Sequence, residues 1–405
     1  MMNTKLLTVV LAGLAMIGPF AIDTYLPSFP AIAEHFTVAP ALVQQTLSVY
    51  LFAFSLTNLF YGTLSDSFGR RPVILFSLLL FTAASIGAAL STSFTSLLVF
   101  RALQGASAGA GMVIGQAIVR DRFQGADAQR FIANIMMVFG VAPAIAPVIG
   151  GLLHVAFGWR STFAFMTAIG IILLIACWLT LRETLPAASR QPFRAAAIAG
   201  NYWTALRHPQ FLLRAFGAGF GFSGFALYIS SAASFVMQVL HLPETAFGWL
   251  FIPMVAGMVI GSAASGKLAH SVPLAGMVRS GFAVMVVAAA INLAYTGLFA
   301  PAVPWAVLPI MLYAFGMAMA LPAMSVMTQS LFPQMRGLAA SLQNFIQMLI
   351  FALVSGFVAP LLFDSAFKMA EGVAVGLVLS VVCWSLGSRG QVAAPTASPA
   401  KGGPL

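Results

Sequence analysis

Long apolar runs separated by short polar segments dominate the chain. A helix of about 20 residues, the typical length of these runs, spans the roughly 30 Å hydrocarbon core of a membrane. The runs fall into two sets of six on either side of a longer polar stretch. The pattern predicts an all-α polytopic membrane protein. The predicted spans are 6–28, 41–63, 73–93, 98–119, 131–152 and 162–181, then 210–232, 246–266, 277–298, 304–325, 336–358 and 368–388.

Polar segments divide the chain into four predicted parts. These are an N-terminal six-helix half (1–181), a cytoplasmic linker (182–209), a C-terminal six-helix half (210–388) and a disordered cytoplasmic tail (389–405). An internal similarity supports the two halves, because Gly62–Asp66 (GTLSD) resembles Gly266–His270 (GKLAH), 204 residues later. Two related halves place a substrate site between them, near the middle of the membrane.

Composition and charge position agree with a membrane protein. Hydrophobic residues make up 60% of the chain and charged residues 7%, whereas soluble domains have about 25% charged residues. The net charge of +10 could suggest a nucleic-acid partner, but sixteen of the nineteen Lys and Arg fall on one predicted side. Arg160 and Lys368 fall on the other side, and Arg101 lies at or within a helix. This asymmetry follows the positive-inside rule, so it sets topology and places both termini in the cytoplasm.

The cysteines and histidines give no sign of a metal site or of catalysis. Cys177 and Cys383 lie inside apolar runs, where cysteine behaves as a small hydrophobic residue. The five histidines are scattered at predicted helix ends and loops. We therefore expect no metal, no cofactor and no enzymatic activity.

Asp23 lies at the end of the first apolar run, in the segment Ala21–Pro27. An ionisable group at membrane depth costs roughly 2.5–3.5 kcal/mol on insertion scales. One interpretation is a proton-titrated group that faces a central cavity. The alternative is that Asp23 lies at the membrane interface and caps the helix.

Arg101 and the fifth predicted span carry further candidate chemistry. An arginine in the bilayer core needs partners or water, and it favours the ionised form of a neighbouring carboxylate, which burial opposes. Alternatively, Arg101 extends to the outer interface. Pro143 and Pro147 bend a helix, so we expect a kinked, closely packed fifth helix, whose role is either structural or mechanistic.

The segment 62–72 between spans two and three predicts a charged turn that could latch one state of a moving protein. Asp66 could accept backbone N–H groups of a neighbouring helix. Arg70 and Arg71 could pair with Asp121, or they could simply anchor this face of the membrane.

A substrate cavity between the halves would be apolar and aromatic with a few polar groups. Each candidate taken singly is also compatible with ordinary packing. The candidates are Tyr25, Gln45, Tyr50, Gln104, Gln116, Asn134, Tyr228, Gln238, Tyr313, Asn344 and Gln347.

Several motifs resemble those of the major facilitator superfamily. The pattern Gly-x-Leu-x-Asp-x-x-Gly-Arg-Arg at 62–71 resembles its signature loop, and Asp23–Pro27 (DTYLP) resembles the first helix of its drug:proton antiporters with twelve spans. Arg101–Gly105 (RALQG) and the pair Arg120-Asp121 resemble motifs of the fourth helix. The subfamily most resembled is that of bicyclomycin and chloramphenicol resistance (Bcr/CflA).

The resemblance implies a multidrug efflux transporter of the bacterial inner membrane, which exchanges protons for small, partly hydrophobic drugs by alternating access. The alternative is an exporter or proton symporter of a single sugar or amino acid. The proton would be the coupling ion, and the partners would be drugs and the lipid bilayer, with no nucleic acid. We expect a monomer. The implied residues are Asp23 and Arg101 for proton coupling; Gly62, Asp66, Gly69, Arg70, Arg71, Arg120 and Asp121 for a conformational gate; and Gly140, Pro143, Pro147, Gly150 and Gly151 for the antiporter helix.

The chain departs from the subfamily pattern in three places. Ser67 follows Asp66 where the family usually has a base, and the fifth-helix motif begins Gly140-Val-Ala-Pro143 rather than Gly-Pro. Ala15 stands where some relatives carry a second carboxylate. Asp23 is therefore the only acidic residue that we place at membrane depth.

Overall fold

The computed structural model describes residues 4–193, 195–269 and 271–389, so the predicted tail lies outside the described residues from residue 390 onward. Within the described ranges, twelve helices are long and apolar enough to cross a membrane, as predicted. We number them α1 to α12. They are Leu6–Phe36, Pro40–Phe68, Arg70–Ala89, Phe94–Arg122, Arg130–Phe157, Arg160–Thr180, Pro209–Ser230, Gly248–Leu268, Leu274–Leu298, Leu308–Gln329, Arg336–Leu362 and Ala366–Ser388.

Helix α1 is longer than predicted and is interrupted in its middle. Its first segment is α-helical to Asp23, and a 3-10 turn at Leu26–Ser28 connects it to a second segment, Phe29–Phe36. Pro27 has no N–H, and its ring would clash with the carbonyl group four residues earlier, at Asp23. The first segment therefore ends there, and its last carbonyl groups are available to side chains.

The two halves pack their helices in the same pattern. In the N-terminal half α1 packs on α5, α2 on α4, and α3 on α4 and α6. In the C-terminal half the corresponding pairs α7–α11, α8–α10, α9–α10 and α9–α12 are also in contact. The similar segments at Gly62 and Gly266 match less closely, because α2 continues to Phe68 whereas α8 ends at Leu268.

The halves meet along three lines of contact. Helix α2 packs on α11, and α5 packs on α8. The turn Leu26–Ser28, just after Asp23, contacts Ala232–Ser234, which follows α7. The interrupted part of α1 therefore lies where the two halves touch.

A short helix, Ala195–Leu206, lies between α6 and α7, within the predicted linker 182–209. We call it the linker helix. It packs on α7 and α11.

Arg214, one of the basic residues assigned to one membrane face, lies five residues inside α7. The side chain is fully buried in α7. It donates hydrogen bonds to the carbonyl oxygens of Gly387 (3.0 Å) and Met327 (2.8 Å), near the ends of α12 and α10. Helix C-termini have free carbonyl groups and attract cations, so this arginine stabilises three helix ends together.

Candidate functional site

Asp23 lies inside the protein, at the end of the first segment of α1. Its side chain is 2% exposed, and it is the only buried acidic side chain among the described residues. The Oδ1 atom is buried and accepts no hydrogen bond from these residues. The carboxyl group is therefore enclosed by protein rather than placed at an exposed helix end.

Asp23 is not the only acidic residue within the helices that are long enough to cross a membrane. Glu371 lies five residues inside α12, but its side chain is exposed. Burial, rather than depth in the sequence, distinguishes Asp23.

Arg101 is fully buried on α4 and does not extend to an interface. Its Nη1 donates to the carbonyl oxygen of Ala21 at 3.0 Å, and its Nε donates to that of Thr46 at 3.3 Å. The carbonyl group of Ala21 is available because the first segment of α1 ends two residues later. Arg101 thus links α4 to the interrupted part of α1 and to α2.

Aromatic rings enclose the rest of the guanidinium group. Its Cζ lies 4.1 Å from the ring centroid of Tyr25 and 4.4 Å from that of Tyr50. Desolvated cation–π contacts of this kind contribute about 2 kcal/mol. Arg101 forms no ion pair with any described residue. Among the described residues, carbonyl groups and ring faces rather than a carboxylate stabilise its charge.

Gln104, which the sequence suggested for a substrate cavity, is a partner of Arg101. It is fully buried, and its Oε1 accepts a hydrogen bond from Arg101 Nη1 at 2.9 Å. Its Nε2 donates to Ser85 Oγ at 2.8 Å, on α3. Each end of the amide therefore has one partner within the N-terminal half.

The other cavity candidates do not form a single cluster. Tyr25 and Tyr50 surround Arg101, whereas Tyr228 and Tyr313 line a small void of about 10 Å³ inside the C-terminal half. Asn134, Gln238 and Asn344 are exposed, and Gln45, Gln116 and Gln347 are partly buried.

Arg70 forms the centre of the charged turn between α2 and α3. Its Nη1 lies 2.6 Å from Asp66 Oδ1, and its Nε lies 3.1 Å from Asp121 Oδ2, at the end of α4. The pairing of Arg70 with Asp121 that the sequence suggested is therefore present. Arg71 instead donates to the Trp178 carbonyl oxygen, and Arg120 is exposed.

Glu183, rather than Asp66, accepts the backbone N–H groups at the start of α3. Its oxygens accept from the N–H groups of Arg70 (3.0 Å) and Arg71 (3.2 Å), where a carboxylate is favoured by the helix dipole. Gly69 has φ +101°, and a Cβ there would lie 2.5 Å from Glu183 Oε2. We call Asp66, Arg70, Asp121 and Glu183 the latch. The sequence signal for Glu183 was its position just after α6, beside a basic turn.

Two adjacent glycines of α5 contact different halves. A Cβ on Gly150 would lie 1.8 Å from the carbonyl oxygen of Thr24, on α1. A Cβ on Gly151 would lie 2.3 Å from the carbonyl oxygen of Glu244, before α8. Helix α5 continues through Pro143 and Pro147. Only glycine permits both approaches, so α5 packs tightly between the halves.

Side chains also join the halves at the end of the bundle remote from the latch. Gln45 Nε2 donates to the Gly356 carbonyl oxygen (2.7 Å), and Ser48 Oγ donates to that of Ala352 (2.8 Å). The residues Val354–Val358 form a π-helical turn of α11, a distortion that is often found at functional sites. We call this α2–α11 contact the closed seam.

The α5–α8 contact has a polar link of its own. His154 Nε2 on α5 lies 3.2 Å from Glu244 Oε2. Both lines of contact between long helices are thus reinforced by polar side chains.

Comparisons with known proteins agree with this fold. The model of a protein family described as "Major Facilitator Superfamily" matches residues 11–356 of this chain. The bicyclomycin resistance protein homolog of Haemophilus influenzae is 27% identical over 395 residues, which cover 94% of this chain and 96% of that protein. The chloramphenicol resistance protein of Pseudomonas aeruginosa is 29% identical over 290 residues, which cover 70% and 67%.

A solved structure supports the fold alone. The crystal structure of a D-xylose-proton symporter superposes with a TM-score of 0.74 at 13% identity, covering 94% of this chain and 97% of that one. The chain is therefore a multi-pass, non-enzymatic transporter that belongs to the Major Facilitator Superfamily and resembles its bicyclomycin- and chloramphenicol-resistance branch.

Proposed function

We propose that this protein exports small, partly hydrophobic drugs in exchange for protons across the bacterial inner membrane. The observation that carries the proposal is the buried carboxyl group of Asp23, which has an unpartnered oxygen and lies beside the contact between the halves. An ionised carboxylate buried without a partner is costly. A group in this position can therefore couple the uptake of a proton to the opening of the protein.

In the proposed cycle, the two halves rock about the Asp23 region. The closed seam and the contact of Leu26–Ser28 with Ala232–Ser234 separate in one state, so that Asp23 meets the periplasm and receives a proton. In the other state the drug enters from the cytoplasm. Arg101, held by the carbonyl groups of Ala21 and Thr46, keeps the turn after Asp23 in place throughout.

The latch belongs to the same proposal. It lies at the end of the bundle that carries most of the basic residues, which the positive-inside rule places in the cytoplasm. We propose that it fixes α2, α3, α4 and α6 as one rigid unit, so that the N-terminal half moves as a body. Both termini are then cytoplasmic, and one chain suffices.

One proton per cycle supplies enough free energy. Entry down one pH unit and about 100 mV provides roughly 3.7 kcal/mol, which supports a drug gradient of several hundred-fold. Export of a divalent cation against a single proton would be opposed by the potential. We therefore expect neutral or monocationic substrates.

The test is substrate-induced proton release from purified protein, with chloramphenicol and then bicyclomycin as probes. Wild type should release protons when the drug is added, and Asp23→Asn should release none. Asp364→Asn is the matched control, because Asp364 is an exposed acid outside the spans. Proton release from Asp23→Asn equal to that of wild type would overturn the coupling role. A transporter of a single sugar or amino acid would respond to neither drug.

A further inference from the structure

The linker helix has three distinct sides. With about 100° between successive residues, Tyr202 and Ala205 point towards the bundle, where Ala205 is fully buried. Asn201 and Thr204 form a polar side. The third side is apolar and exposed, and it consists of Ala196, Ala199, Trp203 and Leu206.

The exposed apolar side contains a large aromatic residue next to a cation. Trp203 is 57% exposed, and Leu206, one turn further on, is 38% exposed. The guanidinium Cζ of Arg207 lies 4.8 Å from the Trp203 ring centroid. Arg207 forms no ion pair with any residue that the structure describes. An apolar stripe with a tryptophan and an arginine at its edge is the pattern of a helix that lies in a membrane interface.

The position of the linker helix along α2 agrees with a location at the membrane–water interface. Tyr202 Oη donates to the carbonyl oxygen of Leu59 at 2.8 Å. Helix α2 has 29 residues, or about 43 Å, so it exceeds the hydrocarbon core by about 13 Å. The part of α2 that extends beyond the hydrocarbon core lies at the Phe68 end, because Ser65–Ser67 are polar. Leu59 lies nine residues, or about 13 Å, before Phe68, which is where that part begins. Tyr202 therefore holds the helix near the level where the hydrocarbon ends.

The positive charge of the linker segment favours anionic lipids. The segment 182–209 contains four arginines and one glutamate, and Glu183 is already engaged at the start of α3. Juxtamembrane basic residues are each attracted to anionic lipids by about 1 kcal/mol. The chain's own C-terminal tail does not suit this basic surface as a partner. Residues 390–405 include Lys401 and no acidic residue that could pair with an arginine.

We propose that the apolar side of the linker helix docks on the bilayer surface, with Arg207 bound to the phosphate of an anionic lipid. The docked helix bridges the halves at this end, since Tyr202 bonds to α2 while the helix also packs on α11. This site is independent of proton coupling at Asp23.

The experiment uses the full chain in bilayers with Trp203 as its sole tryptophan. The other five tryptophans, replaced by Phe, are Trp159, Trp178, Trp249, Trp305 and Trp384. Lipids with brominated acyl chains quench a tryptophan that contacts them. We expect brominated phosphatidylglycerol to quench Trp203 at least twofold more than brominated phosphatidylcholine at the same mole fraction. Arg207→Gln should abolish this difference.

A chain with Trp305 as its sole tryptophan is the control. Trp305 is 62% exposed in the loop before α10, at the end that carries the closed seam, and should show no preference for the anionic lipid. Equal quenching of Trp203 by both lipids, or none, would overturn the proposal.

A second measurement covers the case in which five replacements disturb folding. A nitroxide on Ala199→Cys, with Cys177 and Cys383 replaced by Ala, reports its surroundings by collision with dissolved oxygen or with a water-soluble nickel chelate. Greater accessibility to oxygen, increased by phosphatidylglycerol, supports docking. Greater accessibility to the chelate contradicts it.

Discussion

Arg101 donates a hydrogen bond to the carbonyl oxygen of Ala21 over 3.0 Å, at the point where α1 is interrupted. The helix break creates the acceptor and the arginine occupies it. The fold at Asp23 and the charge at Arg101 are thus parts of one arrangement.

Replacing Arg101 with Lys should reduce proton-driven chloramphenicol transport at least tenfold. A lysine ammonium is a point charge, so it cannot stack its face on Tyr25 and Tyr50 while donating to two carbonyl groups. Uptake into inverted vesicles, normalised to the amount of folded protein, measures the effect. Arg279→Lys is the control, because Arg279 is exposed on α9. Equal transport by the two variants would contradict the role of the guanidinium geometry.

Gly150→Ala should destabilise the protein by about 1–3 kcal/mol, the usual cost of overpacking. The new methyl group would meet the Thr24 carbonyl oxygen, which is backbone and moves little. Thermal unfolding in detergent measures the change. A Cβ on Gly266 meets no atom within 4 Å, so Gly266→Ala should keep the wild-type melting temperature. A Gly150→Ala protein as stable as Gly266→Ala would show that α5 and α1 are not packed as described.

The double substitution Gln45→Leu and Ser48→Ala should open the closed seam. Each lost hydrogen bond costs about 1 kcal/mol, so the open population should rise at least tenfold. A cysteine at the fully buried Ser355, with Cys177 and Cys383 replaced by Ala, reports opening by its rate of thiol labelling. An unchanged labelling rate would mean that these two bonds do not hold the seam.

Glu183→Ala should destabilise the protein by about 0.5–2 kcal/mol, as the loss of a helix cap does. Glu183→Gln should cost less, because the amide oxygen still accepts one N–H. Melting temperatures measure both variants. Glu371→Ala is the control, because that acid is exposed on α12. Equal melting temperatures for Glu183→Ala and Glu371→Ala would exclude a capping role.

The spans could be predicted, and Asp23 could be singled out, because both depend on local rules. A run of about twenty apolar residues is typical of a membrane-spanning helix. An acidic residue at the end of such a run is easily recognised in the sequence. The interruption of α1 was also encoded locally, by Pro27, although the predicted span ended at residue 28 and missed Phe29–Phe36.

The partners of the buried polar residues could not be predicted, because they depend on which helices meet. In the sequence, Gln104 is equally compatible with lining a cavity and with supporting Arg101. Its hydrogen bonds to Arg101 and to Ser85 depend on how α3 packs against α4. Arg214 follows a polar linker in the sequence, and its local sequence gives no sign of burial. Its burial depends on carbonyl groups more than 100 residues away.

Gly150 and Gly151 are neighbours in sequence, yet each is fitted against a different half of the molecule. Any rocking of the halves must therefore separate α5 from Glu244 while leaving it against Thr24, so a boundary between moving bodies passes between two consecutive α-carbons. Asp23 lies on the Thr24 side of that boundary. In the proposed rocking motion, Asp23 would therefore stay with the body that holds Thr24 and Gly150, and only its surroundings on the opposite body would change.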